Sequence, residues 1–300
     1  MKTERQAYLL LAAVIVLWGA NWPIMKIGIA LIPPIWFASI RLLLGSLCLF
    51  ALIGARGQLS LPERRDYPVL LSVGLLQLGV SLALIHVALS IVEAGRSAIL
   101  AYTTPLWVIP LAIVVLGEKI SLTKALGLIL GLAGVAVLFN PTELDFSDSA
   151  LLLGNGYLIA AAMIGAISMV HVRHHRMIMA PLHIIPWQML IGGAVLAVSA
   201  LLIEGLPDIK FSPTLFAVLA YNGPIASAFC FWAYLTVMRS LPVTSTTLGS
   251  LGVPVAGMLF SALTLGEVLS ISKVSGLALI SSGVVILIAG DIFWKSRNEK

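Results

Sequence analysis

Apolar runs about as long as a bilayer is thick follow one another along nearly the whole chain, and they restrict the fold more than any other feature. A membrane-spanning helix needs about 20 mostly apolar residues. Of the 300 residues, 60% are hydrophobic and 10% are charged, whereas about 25% are charged in an average soluble domain. The period-two pattern of membrane β-strands does not occur. The sequence therefore predicts an all-α integral membrane protein.

Short polar gaps divide the chain into ten predicted transmembrane helices. They are residues 7–31, 34–54, 68–90, 95–116, 121–139, 151–172, 182–203, 213–238, 243–265 and 270–290. The longest connections, about "ARGQLSLPERRDY" and "NPTELDFSDSA", are too short to fold as separate domains. No attached catalytic or sensor domain is therefore expected.

Basic residues are distributed unevenly between the two predicted sides of the membrane. With the N-terminus inside, thirteen of the eighteen Lys and Arg residues fall on cytoplasmic segments. These thirteen are Lys2, Arg5, Arg56, Arg64, Arg65, Lys119, Lys124, Arg173, Arg176, Arg239, Lys295, Arg297 and Lys300. This positive-inside asymmetry predicts that both termini are cytoplasmic. It also accounts for the net charge of +5 without a nucleic-acid partner.

The two halves of the chain resemble each other. The segment "LGEKISLTKALGLILGLAGVAVL", beginning at Leu116, matches "LGEVLSISKVSGLALISSGVVIL", beginning at Leu265, at eleven of 23 positions without a gap. The two segments are 149 residues apart, and the same separation relates Pro105 to Pro254. We interpret this match as an internal duplication, with a first repeat at 1–145 and a second at 146–300.

The number of spans in each repeat determines how the repeats are oriented. Each half holds five predicted spans, and because five is odd, the second repeat enters the membrane from the opposite side. Inverted repeats of this kind recur in secondary transporters, whose substrate site lies near the bilayer midplane between the repeats. The predicted fold is therefore two inverted five-helix repeats.

Several segments together carry a family resemblance. They are "WGANWPIMK", Arg41, "SAILAYTTPLWVIPLAIVVLGEKIS" and its echo "GVPVAGMLFSALTLGEVLS". With these segments the chain resembles the paired EamA domains of the drug/metabolite transporter superfamily, and within it the bacterial exporters of aromatic and other neutral amino acids. The resemblance implies ten helices, location in a bacterial-type inner membrane, and export of small metabolites.

The stretch "WGANWPIMKI" in the first span contains the first candidate binding residues. Trp18, Asn21, Trp22 and Met25 share one helical face, since their spacings are three, four and seven. An asparagine that faced lipid would leave its amide unsatisfied, so this face should point into the bundle. Trp18 and Asn21 are predicted to contact substrate; alternatively, Asn21 ties two helices together, and Trp22 lies at the membrane interface.

Polar and aromatic residues in other spans complete the predicted binding set. They are Gln77, Ser81, His86, Tyr102, Phe229 and Trp232. Buried Gln and Tyr side chains need partners, which other helices or a wet cavity must supply. For His86 the alternative is a hydrogen-bonded core histidine.

Prolines inside the spans are predicted hinges. They are Pro23, Pro105, Pro110, Pro224 and Pro254. A proline within a helix removes a backbone donor and loosens the preceding turn, although such kinks also serve packing alone. The mirrored pair Pro105 and Pro254 favours the hinge interpretation.

The charged residues within the spans are cations. Lys26 is expected to reach the membrane interface. Arg41 lies deeper and is expected to bind backbone carbonyls or a side chain, with substrate contact as the alternative. No Asp or Glu falls in the middle of a predicted span. Glu118 and Glu267 are expected to cap the helices that follow them.

These features favour a carrier for zwitterionic amino acids that works by facilitated diffusion or weak coupling. A multidrug or quaternary-cation exporter is disfavoured, because no central carboxylate is available to exchange a proton for a cation. A membrane enzyme acting on lipid-linked substrates would need a catalytic cluster, and "HVRHHR" has no acidic neighbours. No cofactor or metal is predicted. The glycines Gly127, Gly131, Gly134, Gly276 and Gly283 are predicted to pack the fifth span against the tenth, and these helices are compatible with a monomer or a weak homodimer.

Overall fold

The fold was analysed in a computed structural model, which describes residues 2–116, 122–139, 146–175, 179–241 and 249–298. Within these ranges all regular structure is helical. The α-helices are α1 (Lys2–Ile29), α2 (Pro34–Ala55), α3 (Tyr67–Leu71), α4 (Leu82–Ile91), α5 (Ala94–Ala101), α6 (Thr104–Leu116), α7 (Leu122–Leu138), α8 (Ser149–His174), α9 (Pro181–Ile203), α10 (Pro213–Ala220), α11 (Cys230–Ser240), α12 (Gly252–Leu265) and α13 (Ile271–Asn298). Two π-helical segments join α3 to α4 and α10 to α11, namely π1 (Ser72–Ser81) and π2 (Tyr221–Phe229).

Seven helical stretches in the described residues are long and apolar enough to cross a membrane. They are Arg5–Ile29, Pro34–Ala55, Arg64–Ile91, Ala94–Val115, Ser149–Val172, Pro181–Ile203 and Pro213–Met238. Three shorter apolar helices, Ala125–Leu138, Gly252–Leu265 and Ile271–Ile286, overlap the other three predicted spans. The all-helical membrane fold is confirmed, and a total of ten crossings stays a prediction.

The fourth predicted span is not one continuous helix. A turn at Tyr102 and Thr103 separates α5 from α6. Pro105 explains the turn, because it has no N–H to donate to the Ala101 carbonyl and its ring would clash with that carbonyl in a continuous helix. The amide and hydroxyl of Thr103 both donate to the Leu100 carbonyl, at 3.2 and 2.7 Å. A turn at Leu251 likewise precedes α12, 149 residues after Tyr102.

Glycines bring α7 and α13 into backbone contact. A Cβ on Gly283 would lie 2.6 Å from the Gly127 carbonyl oxygen, and one on Gly134 would lie 2.8 Å from the Gly276 carbonyl oxygen. Side chains at these positions would force the helices apart. The predicted packing between the fifth and tenth spans is confirmed.

The π segments occupy corresponding places in the two halves. Both begin 149 residues apart, at Ser72 and Tyr221. Each packs a glycine backbone against a glycine of another helix. A Cβ on Gly192 of α9 would lie 3.0 Å from the Gly74 carbonyl oxygen, and one on Gly45 of α2 would lie 3.2 Å from that of Gly223. Gly74 and Gly223 are themselves 149 residues apart, as the duplication predicts.

Carboxylates at span ends cap helices that are distant in sequence. Glu204 accepts hydrogen bonds from the Ile35 and Trp36 amides at the start of α2, at 2.9 and 3.0 Å. Glu267 accepts from the Ala94 and Gly95 amides at the start of α5, at 2.6 and 2.8 Å. A carboxylate at a helix N-terminus satisfies free N–H groups and interacts favourably with the helix dipole.

The prediction that Glu267 caps the helix after it is therefore wrong. Gly266 adopts φ 68° and ends α12, so the chain turns before Glu267, and the carboxylate reaches α5. Ser270 caps the following helix instead, because its hydroxyl accepts a hydrogen bond from the Lys273 amide at 3.3 Å. Glu118 lies outside the described residues.

Removing the Glu267 carboxylate should destabilise the fold. We expect Glu267→Ala to lower the free energy of unfolding by about 2 kcal/mol, because hydrogen bonds to charged groups each contribute about 1.5–3 kcal/mol and this side chain is half-exposed. The free energy of unfolding of Glu267→Gln, which keeps one acceptor oxygen, should lie between those of wild type and Glu267→Ala. Thermal unfolding of the detergent-solubilised protein measures the effect. Asp208→Ala, in an exposed loop, is the matched control, and equal melting temperatures for the two alanine variants would contradict the cap.

Candidate functional site

An aromatic cluster joins α1 to α11. The Trp18 indole packs against Phe231 and Tyr234, with ring centroids 5.3 and 5.2 Å apart. Its Nε1 donates to the Ala226 carbonyl of π2 at 2.9 Å, and a side-chain hydrogen bond joins Tyr234 to Ser250. Offset and edge-on aromatic contacts are favourable beyond the area they bury. Trp18 therefore forms part of an aromatic wall and keeps part of its surface accessible.

The structure brings other aromatic residues to Trp18 than those chosen from the sequence. Phe229 and Trp232 contact each other, with centroids 5.9 Å apart. Phe231 lies two residues after Phe229, about 200° around an α-helix, and thus on the opposite face. Sequence reasoning located the correct helix but could not determine which face points towards α1. Tyr102, at the turn between α5 and α6, packs against the core cluster that contains Trp22 and Met25.

Arg41 is buried among four helical elements. Its side chain is 4% exposed. Nη1 donates to the Met25 sulfur at 2.7 Å and lies 3.5 Å from Nε2 of His86, and Nε donates to the Ser227 hydroxyl at 3.3 Å. The expectation that Arg41 binds a side chain is confirmed. Within the described part of the chain, none of its contacts is a carboxylate.

His86 contacts the guanidinium in its neutral form. Its Nδ1 lies 2.8 Å from the Leu82 carbonyl oxygen, which can only accept, so Nδ1 carries the proton. A proton on Nε2 as well would place a second cation against Arg41. Nε2 is therefore the acceptor that faces Nη1, and the imidazole adds no compensating charge.

Two buried asparagines, Asn21 of α1 and Asn222 of π2, each have an unpaired carboxamide oxygen. They are 4% and 0% exposed, and Oδ1 of each has no hydrogen-bond partner among the residues that the structure describes. Nδ2 of Asn222 donates to the Val218 carbonyl at 3.0 Å. Sequence reasoning selected Asn21 and missed Asn222, although the same rule, that an amide within a membrane span is costly, also applies to Asn222.

Other predicted residues have structural partners. The Ser81 hydroxyl donates to the Ala161 carbonyl of α8 at 2.9 Å, and Gln77 is half-buried in π1. Trp22 is 5% exposed and packs with Met25 and Phe37 in the core, so its alternative placement at the membrane interface is wrong. The Lys26 ammonium, expected to reach the interface, donates to the Leu89 and Val92 carbonyls at the end of α4, where the helix dipole favours a cation.

The predicted hinge prolines differ in their surroundings. Pro23 and Pro254 are buried, and Pro105 is half-buried. Pro105 and Pro254 each lie within the first turn after a break, where proline is tolerated. Pro110 and Pro224 are exposed. Their rings lie on the outside of the described bundle.

Comparison with known proteins yields a consistent set of relatives. The sequence profile described as the EamA-like transporter family matches residues 5–140 and 152–289. An uncharacterized transporter of Bacillus subtilis, YoaV, is 27% identical over 91% of this chain and 93% of its own length. A protein of Salmonella typhimurium named as a probable amino-acid metabolite efflux pump is 25% identical over 92% of this chain and 93% of its own.

Two further comparisons concern location and fold. The uncharacterized inner membrane transporter YedA of Escherichia coli K12 is 25% identical over 96% of this chain and 92% of its own. A solved structure titled "Crystal structure of protein" superimposes with a TM-score of 0.65 at 22% identity, covering 94% of this chain and 95% of that one. The last similarity concerns the fold alone.

Proposed function

Because the chain belongs to the EamA-like transporter family, we propose that it exports neutral amino acids, aromatic ones above all, by alternating access. Its relatives are named as transporters, and one is named as a probable amino-acid metabolite efflux pump. The protein is a multi-pass membrane protein. We further propose that it is located in a bacterial inner membrane with both termini in the cytoplasm, and that it works as a monomer or a weak dimer.

The proposed substrate class rests on the buried guanidinium of Arg41, which contacts no carboxylate among the described residues. A buried cation without a counter-ion is costly. The carboxylate of an amino acid would supply that counter-ion through charge-assisted hydrogen bonds. Lipophilic cations would be repelled by the same guanidinium. The neutral His86 supports this assignment, because it leaves the guanidinium charge unbalanced.

The aromatic wall supports a substrate with an apolar side chain. Phe231 and Tyr234 of α11 are half-buried, and each contacts the half-buried Trp18 of α1. Rings of this kind bind a bulky apolar side chain through area burial and edge-to-face contact. We propose that Trp18, Asn21, His86 and Tyr102 of the predicted set line the substrate site, together with Phe231 and Tyr234.

The mechanism that we propose uses two inverted repeats, 1–145 and 146–300. The matching π segments and the turns at Tyr102 and Leu251, each 149 residues apart, support the duplication. In this scheme Pro105 and Pro254 are the hinges.

Uptake by vesicles that contain the Pro105→Ala variant should then be slower at an unchanged KM. Pro110→Ala, which replaces a proline with an exposed ring, should behave as wild type. Equal rates for the two variants would contradict the hinge.

Uptake into proteoliposomes tests the proposed function. A panel of labelled amino acids is offered with and without an imposed pH gradient. We expect saturable uptake of neutral amino acids that persists without the gradient, with Trp18→Ala reducing uptake of aromatic members about tenfold or more through loss of the wall. A second arm offers a quaternary ammonium compound. Proton-dependent movement of that cation without amino-acid uptake would overturn the proposal.

A further inference from the structure

We infer that the carboxamide oxygens of Asn21 and Asn222 form the part of the site that binds the substrate ammonium group. This inference rests on the proposed function, because it assigns the second charge of a zwitterion whose first charge Arg41 binds. Within the described part of the chain neither oxygen has a hydrogen-bond partner, although both are buried. A buried acceptor without a donor is costly, and nearly all such groups in native proteins are satisfied.

Both asparagines lie about one helical turn from a residue that contacts Arg41. On α1, Asn21 precedes Met25 by four residues, so the two side chains share a face, and the Met25 sulfur accepts from the guanidinium. On π2, Asn222 precedes Ser227 by five residues. In a π-helix residues i and i+5 are joined by a backbone hydrogen bond and lie one above the other, and the Ser227 hydroxyl also accepts from Arg41.

Contacts between α1 and π2 place the two asparagines at the same level. The Tyr221 hydroxyl donates to the Leu17 carbonyl at 2.7 Å, and the Trp18 indole donates to the Ala226 carbonyl at 2.9 Å. Asn222 follows Tyr221 directly. Asn21 lies one turn after Leu17, on the same side of α1. Both asparagines thus lie next to, or one turn from, residues through which these two segments contact each other.

The chemistry of the two groups suits an α-amino acid. A carboxamide oxygen is a neutral acceptor, which can take an N–H from an ammonium group without adding a charge. One helical turn rises about 5.4 Å. A substrate carboxylate that bridges to Arg41 would therefore leave the adjoining ammonium group within reach of the amide oxygens. The aromatic wall begins at Trp18, three residues from Asn21, and would receive the side chain.

The corresponding position in the other half argues against a purely structural role for Asn222. Val73 of π1 lies 149 residues before Asn222. The neighbouring glycines, Gly74 and Gly223, make equivalent backbone contacts in the two halves. A π segment of this shape therefore forms with an apolar residue at that place. The polar side chain of Asn222 needs another explanation, and ligand binding supplies one.

Three ligands that share a phenyl ring test the inference. They are phenylalanine, 3-phenylpropionate, which lacks the ammonium group, and phenethylamine, which lacks the carboxylate. Proteoliposomes with the full chain are assayed for transport of each ligand. We expect wild type to prefer phenylalanine over 3-phenylpropionate, and Asn222→Leu or Asn21→Leu to reduce that preference about 10- to 100-fold, the effect of losing a hydrogen bond to a charged group.

Matched variants separate binding from folding. Asn222→Asp keeps the acceptor oxygen and should retain the preference for phenylalanine. Arg41→Met should impair transport of both ligands that carry a carboxylate. If Asn222→Leu reduced transport of phenylalanine and of 3-phenylpropionate equally, or left the preference unchanged, the inference would be overturned. The proposed function would remain intact. Wild-type vesicles that transport no amino acid would overturn the proposed function itself, and the inference with it.

Discussion

Arg41→Met should strongly impair amino-acid transport and leave the protein at least as stable as wild type. The variant removes the group that we propose to bind the carboxylate, and loss of one partner of a buried charge pair lowers affinity by about 2–5 kcal/mol. The value of kcat/KM for phenylalanine should therefore fall about 30-fold or more. Replacing a buried charge by a methionine of similar volume is neutral, or stabilising by about 1–4 kcal/mol. Uptake by proteoliposomes and thermal unfolding of the same preparations give the two readouts.

Two controls accompany this variant. Arg56→Met removes a cation from an exposed position at the end of α2 and should leave both readouts unchanged. Arg41→Lys keeps the charge but loses the planar fork of donors, so partial transport is expected. If Arg41→Met unfolded at lower temperature while its remaining folded fraction transported normally, Arg41 would be a packing residue and the assignment of the carboxylate site would be wrong.

Gly283→Ala should be among the most destabilising single substitutions in this chain. The added Cβ would lie 2.6 Å from both the Gly127 carbonyl oxygen and the Gly131 amide nitrogen, which are backbone atoms and cannot rotate away. Helices α7 and α13 must then separate, and overpacking of this kind costs about 1–3 kcal/mol or more. Thermal unfolding of the solubilised protein measures the loss.

Gly156→Ala is the matched control for this substitution. Gly156 lies within α8, and a Cβ there would meet nothing within 4 Å. Alanine at an open helical position is stabilising by about 0.4–1 kcal/mol. The two variants should therefore shift the melting temperature in opposite directions. A Gly283→Ala protein as stable as Gly156→Ala would show that α7 and α13 do not pack through their glycines.

Much of the fold could be predicted from the sequence, because each of its main signals is local. The lengths of the apolar runs located the helices, since the bilayer sets the length of each span. The repeated glycines identified the contact between α7 and α13, and Pro105 marked the break that the structure has at Tyr102. The cost of an amide in a membrane span selected Asn21, which is buried as expected.

The candidate site was only partly predictable, because it depends on helix rotation. The sequence placed aromatic residues on the eighth span, but Phe229 and Phe231 are equally apolar, and only packing against α1 determined that Phe231 meets Trp18. The amide of Asn222 is as costly within a membrane span as that of Asn21, so the same rule also identifies Asn222. The partners of Arg41 come from three other helical elements, α1, α4 and π2.

By itself the sequence determined that this is a membrane protein and where its helices lie, and it predicts that its halves are duplicated. These properties depend on hydropathy and on spacing along the chain. The tertiary structure decided which side chains meet. Glu267 caps α5 and not the helix that follows it in sequence, and the Lys26 ammonium binds carbonyls at the end of α4. In both cases the unpaired backbone groups at a helix end are satisfied by the side chain that lies nearest in space. Proximity between distant segments follows from packing, which no local pattern encodes.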